Sequence, residues 1–311
     1  MAKVIVTGGA GFIGSHIVDL LLARGDEVVV VDNLSSGFKS NLPSECRLIE
    51  TDIRDPALCE ILRNEKPDTI VHAAAQISVR VSMEDPGLDT AVNVGGLVNI
   101  LQSFPKDELP YFVFLSTGGA IYGEQEEFPA AESHLIQPSS IYGLAKRVSE
   151  MYLDFWAREL GLKYAALRLG NVYGPRQSPH GEAGVIAIFC KMLLDGKVPV
   201  INGSGEQTRD FVYVSDVASA AGKVSEQQIT GIFNIGTSRE TSVNALYAEI
   251  CRALGLDVKP EYADAKAGEQ MRSCIDWQLA HKTFNWEPSV SIDAGIKTTA
   301  EWFRDTGPGK P

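Results

Sequence analysis

The chain has 311 residues, 44% of them hydrophobic and 22% charged, and a formal net charge of -12. That length buries one large α/β domain or one and a half, and the acidic balance disfavours non-specific nucleic-acid binding. No segment approaches the ~18 consecutive apolar residues that cross a bilayer, so neither a nucleic acid nor a membrane is expected as a partner.

Lys3–Thr7 reads as an apolar strand running straight into a glycine turn, Thr7-Gly8-Gly9-Ala10-Gly11-Phe12-Ile13-Gly14. A strand that feeds this turn is not a removable signal peptide, and a cytoplasmic protein is expected. Phe12–Arg24 carries helical periodicity at Ile13, Ile17, Leu20 and Leu21 and stops at Gly25. Glu27–Asp32 is a continuous apolar run, as a parallel strand buried on both faces should be. Further strands are expected at Arg47–Glu50, Thr69–His72, Tyr111–Ser116 and Lys163–Leu169, with helices between them. Asp85–Ser103 and Ser139–Leu160 read as the two longest helices. Repeated strand–helix–strand units predict an α/β fold, a doubly wound parallel Rossmann sheet with right-handed crossovers, over residues 1–169.

Past Leu169 the pattern changes. Gly170–Glu182, rich in Gly and Pro, reads as a loop. A helix is expected over Ala183–Asp195, a strand at Pro199–Ile201, a strand then a helix within Arg209–Ala221, and a strand at Ile232–Ile235. This interleaving predicts a smaller C-terminal α/β substrate-binding cap over 170–311, with about 210–238 returning to the sheet. The Gly/Pro-rich tail, Thr306–Pro311, is expected to fray.

Gly8, Gly11 and Gly14 follow a strand and open a helix, the context in which such glycines allow a tight turn and close approach of a pyrophosphate. Main-chain N–H groups around Phe12 and Ile13 and the helix dipole favour the anion. The spacing is Gly-x-x-Gly-x-x-Gly rather than the Gly-x-Gly-x-x-Gly of most NAD dehydrogenases. Asp32 ends the second strand, near the offset of about 20 residues at which an acid meets the adenosine ribose. A carboxylate there accepts both ribose hydroxyls and repels a 2′-phosphate, favouring NAD over NADP; a turn cap made by Asp32 and Asn33 is the alternative. Asp52 and Ile53 follow the third strand and would hold the adenine, with Asp52 on its exocyclic amine; a simple turn aspartate is the alternative. Ala73, Ala74 and Ala75 end the fourth strand as small residues suited to a flat cofactor, although ordinary sheet packing selects the same residues.

Tyr142 and Lys146, four residues apart, share one helix face. Tyrosine, with a reference pKa of about 10, is a poor base at neutral pH. A cation beside it, Lys146 or a positive nicotinamide ring, favours the phenolate and makes Tyr142 a usable general base. Ser116 and Thr117, ending the fifth strand, offer hydroxyls for the same substrate oxygen; for Thr117 the alternative is local backbone satisfaction. A phosphate cradle with such a pair points to redox chemistry at a carbinol carbon. The five cysteines are scattered, with no Cys-x-x-Cys, and the five histidines show no ligand spacing, so neither a disulfide framework nor a metal is expected.

Together these residues resemble the extended short-chain dehydrogenase/reductase family, in its UDP-glucose 4-epimerase branch, over nearly the whole chain. Thr7–His16 is similar to the family's nucleotide turn, Val71–Gln76 to its cofactor platform, Leu115–Gly123 to its Ser/Thr strand and Tyr142/Lys146 to its catalytic pair. Asn93 matches an asparagine near the nicotinamide. Gly170–Gln177 is similar to the nucleotide-sugar loop, with Asn171 on the diphosphate, and Gln207–Val212 to a second motif that places Arg209 on the same phosphates. Val185, Lys266, Glu269 and Ser273 match further substrate contacts. The resemblance implies NAD as cofactor, a UDP-sugar as substrate and a homodimer paired through the two long helices.

Two departures stand out. Gly118 occupies a position where the family often has a hydroxyl, so that role shifts to Thr117, Ser116 or water. Lys266 replaces an arginine of the family's C-terminal phosphate motif and lacks its bidentate fork, for which Arg272 would compensate. Ser273 is a small gate that leaves room for an N-acetyl group at the sugar's 2-position. Dehydratases of this fold need an Asp-Glu pair after the fifth strand, and decarboxylases a Glu. Gly118-Gly119 stands there instead, so 4-epimerisation of UDP-glucose and UDP-galactose is the expected activity. A 4,6-dehydratase or decarboxylase, and a non-catalytic NAD-binding regulator, are the alternatives.

Overall fold

The computed structural model describes residues 1–180, 184–265 and 270–306. The first half runs β1 (Lys3–Thr7), α1 (Phe12–Arg24), β2 (Glu27–Asp32), β3 (Arg47–Glu50), α2 (Leu58–Glu65) and β4 (Thr69–His72). Three short helical pieces follow: α3 (Val79–Glu84), α4 (Pro86–Thr90) and, beyond a π-helical turn at Ala91–Gly95, α5 (Gly96–Leu101). Then come β5 (Tyr111–Thr117), α6 (Gly118–Ile121), α7 (Ile141–Leu160) and β6 (Tyr164–Leu169). The second half holds β7 (Asn171–Tyr173), α8 (Val185–Leu194), β8 (Val200–Asn202), β9 (Thr208–Arg209), β10 (Phe211–Tyr213), α9 (Val214–Gln227) and β11 (Gly231–Ile235). It closes with β12 (Thr241–Ser242), α10 (Val243–Leu254), β13 (Glu261–Ala263), β14 (Arg272–Ser273), α11 (Gln278–Phe284) and α12 (Ile292–Thr306).

Seven parallel strands form the main sheet in the order β11-β6-β5-β4-β1-β2-β3. Alternate residues of the central strands feed two cores. Val4, Val6, Val71, Val113 and Leu115 meet Ile17 and Leu21 of α1 and Val217 and Val224 of α9. Ile5, Ile70, Phe112 and Phe114 meet Leu62 of α2, Leu97 of α5 and Leu153 of α7. Both faces are covered, which is why these strands read as continuous apolar runs. Burying each such side chain contributes about 1.5–3 kcal/mol.

The smaller unit packs α8, α10 and α12 around Phe189, Leu246, Ile250, Ile296 and Phe303. Three small sheets edge it: β10 with β7, β13 with β8, and β12-β9-β14. The segment expected to be a loop at Gly170–Glu182 contains β7, made regular by parallel pairing with β10. Strand order reverses between β1 and β4, and at such a switch point the ends of the strands leave a crevice for a ligand.

The single helix expected over Asp85–Ser103 is broken. Asp85 caps α4 by accepting from Leu88 N at 2.9 Å, and Pro86 sits in its first turn. The π-turn then widens the spiral before Gly95 and Gly96, both weak helix formers, and α5 ends at Leu101. The widened turn leaves Asn93 buried, bonded to the loop after β4 rather than exposed. α7 is continuous, capped at its start by Ser140 Oγ, which accepts from Gly143 N at 3.1 Å.

Candidate active site

The glycine turn and the loop after β4 meet at the switch point. Gly8 has φ +69°, and a Cβ on it would lie 2.5 Å from Ala74 N. Gly14 has no room either, since its Cβ would lie 2.1 Å from the Gly8 carbonyl oxygen. Thr7 Oγ1 shares a 2.7 Å hydrogen bond with His72 Nδ1, and Ala73 N donates to Thr7 O at 3.0 Å, locking the two loops together. Burial pushes the His72 imidazole down to about 3, with Lys146 adding, so this ring is neutral. No side chain caps α1 at Gly11, so the N–H groups of its first turn, including those of Phe12 and Ile13, are available to an anion.

Asp32, buried, accepts from Ala10 N and Leu34 N at 2.9 Å each. The turn-cap alternative is therefore present, and each oxygen retains acceptor capacity beyond its one backbone donor. Asn33 donates to Asp52 Oδ2 at 2.9 Å. Asp52 also takes Arg54 in a two-point pair, Nε to Oδ1 at 2.9 Å and Nη2 to Oδ2 at 2.8 Å. Arg54 holds this carboxyl well below the usual carboxylate range, against the opposing effect of burial. The carboxylate expected on the adenine amine is thus engaged as a turn aspartate. Ile53 is buried against Gly96, and its carbonyl accepts from Asn99 Nδ2 at 2.9 Å. Asn93 exchanges hydrogen bonds with the backbone of Gln76, accepting from its N at 3.0 Å and donating to its O at 2.9 Å. It thereby pins the end of the Ala73–Ala75 run. The uncapped helix start, the close approach at Gly8 and the acid at Asp32 fit a dinucleotide.

Tyr142 and Lys146, the candidate pair, lie on α7. Tyr142 N donates to Ser82 Oγ of α3 at 3.1 Å, fixing the first turn of α7. One turn on, buried Lys146 donates from Nζ to Leu115 O at 2.8 Å and sits 4.7 Å from the Phe114 ring centre and 5.9 Å from that of Tyr142. Burial lowers the Lys146 ammonium to about 8, while Asp89 and Glu150 oppose the fall. Burial pushes the Tyr142 phenol above its ordinary value, and Asp89 pushes it further. That is the reverse of the lowering expected from Lys146: loss of water outweighs a cation anchored on a backbone carbonyl.

The two candidate hydroxyls part company. Ser116 donates to Glu150 Oε1 at 2.7 Å, inside a buried network in which Arg168 pairs with Glu150 through Nε to Oε1 at 3.0 Å and Nη2 to Oε2 at 2.7 Å. Its hydroxyl hydrogen is used in that bond, whereas the reading of Ser116 as a substrate donor needs it free. Thr117 Oγ1 accepts from Ala120 N at 3.2 Å, the local bond kept open as its alternative, and its hydroxyl hydrogen stays available to donate. A Cβ on Gly119 would stand 4.0 Å from Thr117 Oγ1 and 3.5 Å from Asn171 Oδ1, so these two side chains converge.

On the sugar-nucleotide side, Asn171 is exposed on β7, its N donating to Asp210 O at 2.7 Å. Buried Asp210 gathers the motif around it, accepting from Thr237 N at 2.8 Å, Thr237 Oγ1 at 2.6 Å and Ser238 N at 3.1 Å. Arg209 and Ser273 are register partners across β9 and β14, and Arg209 Nη1 donates to Thr208 O at 2.8 Å. Val185 is the first residue of α8, whose start has no side-chain cap. Lys266 and Glu269 lie outside the described residues. Arg272 pairs with Glu240 through two bonds of 2.9 and 2.6 Å and stacks 3.8 Å from the Phe128 ring centre. Its guanidinium is thereby engaged by a carboxylate and an aromatic face. His16 Nε2 bonds to Pro175 O at 3.0 Å and Arg176 pairs with Asp19 at 2.8 Å, holding the loop after β7 against α1.

One residue escapes a reading of the sequence. Asp89 links Gln76, at the end of the platform loop, to Asn93 of the π-turn, and its only local signal is that it stands four residues before Asn93 on a helical stretch. Among the described residues, no group of three or more His, Cys, Asp or Glu side chains is arranged to hold a metal ion, and no helix is long and apolar enough to cross a membrane.

The sequence profile of the NAD dependent epimerase/dehydratase family matches residues 4–236. The chain belongs to this family. The UDP-glucose 4-epimerase of Thermotoga maritima, solved with UDP-glucose, shares 45% identity and superposes with a TM-score of 0.94, covering 98% of this chain and 99% of that one. The Thermus thermophilus UDP-glucose 4-epimerase, solved with NAD, shares 41% identity at a TM-score of 0.91, over 97% and 99% of the two chains. A UDP-N-acetylglucosamine 4-epimerase from Methanobrevibacter ruminantium, in complex with UDP-N-acetylmuramic acid, shares 33% identity at a TM-score of 0.93, over 98% and 99%. Within the family, then, the similarity to 4-epimerases extends across both the nucleotide crevice and the cap.

Proposed function

We propose that this protein is an NAD-dependent 4-epimerase that interconverts UDP-glucose and UDP-galactose, with room for the N-acetylated UDP-hexosamines. The observation that carries the reading is the sequence Thr117-Gly118-Gly119 at the end of β5, beside Tyr142. Glycines stand where dehydration or decarboxylation needs a carboxylate, so one hydroxyl and one phenol serve the sugar. Residues 1–169 hold the cofactor, and the cap, mainly 170–311, holds the sugar nucleotide.

When bound, NAD supplies a hydride acceptor and a positive ring close to the phenol. Tyr142 takes the proton of the sugar's 4-hydroxyl as the hydride leaves C4, and returns it when the hydride comes back to the opposite face. The shared ammonium of Lys146 favours the phenolate in that arrangement. Thr117 Oγ1 donates to the same oxygen. Asn171, Arg209, the start of α8 at Val185, Lys266 and Glu269 grip the uridine diphosphate. The sugar itself is held loosely, so that the 4-keto intermediate can turn over while its anchor stays fixed, and remote binding energy confines it. Ser273, small and buried, leaves space beside C2.

The exposed apolar stripe of α7 supports a homodimer. Five cysteines without disulfide partners, together with the need for NAD, support a cytoplasmic location. The deciding experiment incubates the purified protein with UDP-galactose, UDP-N-acetylgalactosamine and UDP-glucuronate, without added NAD. The 4-epimers of the first two are expected, with loss of more than about 100-fold in Tyr142→Phe. A 4-keto-6-deoxy or decarboxylated product, or unchanged turnover in Tyr142→Phe, overturns the assignment.

A further inference from the structure

Asp89 lies on α4, fully buried, and α4 packs against α7. Its Oδ1 accepts from Gln76 Nε2 at 2.8 Å and from Asn93 Nδ2 at 3.0 Å. Its Oδ2 is sealed from solvent and hydrogen-bonds to nothing among the described residues. One acceptor oxygen would serve both amides, and an asparagine could provide it. The second oxygen adds only charge, and an unpartnered charge inside a protein is costly unless an opposite charge stands close by.

We infer that Asp89 is a positioning residue for the reacting pair: it clamps Gln76 and Asn93 under the cofactor platform and supplies the fixed negative charge that answers Lys146. This rests on Tyr142 and Lys146 being the pair assigned above. The groups that face this ammonium are few. From α7 come Tyr142 and Glu150; from β5 the Leu115 carbonyl and the Phe114 ring; from β4 neutral His72; from α4 Asp89. Glu150 is already engaged by Arg168, Ser116 and, at 3.5 Å, Arg147, so much of its charge is answered elsewhere. Asp89 has no such cation of its own among the described residues. Asp89 thus favours the protonated form of Lys146 against burial, and the same charge opposes ionisation of Tyr142. The two effects act on opposite limbs of a pH profile and in one direction.

Asp89→Asn separates the two roles, keeping an acceptor oxygen for the clamp and removing the charge. In the NAD-loaded protein, both limbs of the kcat–pH profile are expected to move to lower pH, by about one unit. The phenolate absorbance of Tyr142, read as the difference from Tyr142→Phe in the same background, should titrate at correspondingly lower pH. Asp89→Glu keeps the charge and should leave that titration with the parent. Asp89→Ser, with a small acceptor and no charge, is the second neutral variant and is read in the same way. Superimposable titrations of the parent and either folded neutral variant overturn the inference. The phenolate titration needs no substrate, so it stands or falls separately from the UDP-sugar assignment.

Discussion

Lys146 Nζ donates to the carbonyl oxygen of Leu115 at 2.8 Å, a bond made inside the core between α7 and the central strand β5. It sets the height of the helix on the sheet. With Ser116 bonded to Glu150 one turn further along, α7 is fastened to β5 at two successive levels, and Tyr142 is carried to the rim of the crevice. Positioning of this kind is what general acid–base chemistry requires, since proton transfer demands hydrogen-bond reach.

The buried ammonium carries a stability cost. The Lys146 pKa is lowered to about 8 from an ordinary 10.5, so the unfolded chain binds more protons between those values. Stability from this group therefore rises with pH across that window, and the cost is fully present below pH 8. It is on the order of 3 kcal/mol at about 1.4 kcal/mol per unit, partly offset by about 1 kcal/mol from the bond to Leu115. Lys146→Met is expected to match or exceed the parent in stability at pH 7, with the advantage closing above pH 10, and to lose about 10²–10⁴-fold in kcat. Urea unfolding at the two pH values, with kcat, checks both parts; a stability difference that does not change with pH contradicts it.

The glycine turn makes a graded prediction. A Cβ at Gly14 would stand 2.1 Å from the Gly8 carbonyl oxygen, whereas one at Gly11 would stand 3.2 Å from the same atom. Gly14→Ala must displace backbone, at a cost of about 1–3 kcal/mol or more, and should lose bound NAD. Gly11→Ala needs a shift of a few tenths of an ångström and should be milder on both counts. Thermal unfolding and the NAD released on denaturation measure the order; a Gly11→Ala variant worse than Gly14→Ala would reverse the packing argument.

Leu144, Met151, Tyr152 and Phe155 are exposed on one stripe of α7, at 48, 55, 37 and 48%. With Val148 and Trp156 they form an apolar patch on the face of α7 turned away from β5. Phe155→Asp is expected to convert the proposed homodimer to monomer, read by sedimentation velocity, with the fold retained by circular dichroism. A parent protein that sediments as a monomer removes the dimer from the proposal.

What the sequence determined by itself was local. A run of valines and isoleucines flanked by glycine requires a buried strand and a tight turn, whatever surrounds it, and the four-residue spacing of Tyr142 and Lys146 places them on one face of any helix. Backbone conformation and periodicity are properties of neighbouring residues, so they are legible in order along the chain. The broken helix at Asp85–Ser103 was not, because the π-turn gains from pairing Asn93 with Gln76, a contact that helix propensity does not contain. Tertiary structure alone decided the partners of the polar groups. Ser116 met Glu150, Asp52 met Arg54 beside Asn33, Arg272 met Glu240, and α4, which carries Asp89, came to pack against α7. Each of those outcomes depends on which charge or donor arrives across the fold and how much water is left, and desolvation near Tyr142 was strong enough to reverse the effect expected of its neighbouring lysine.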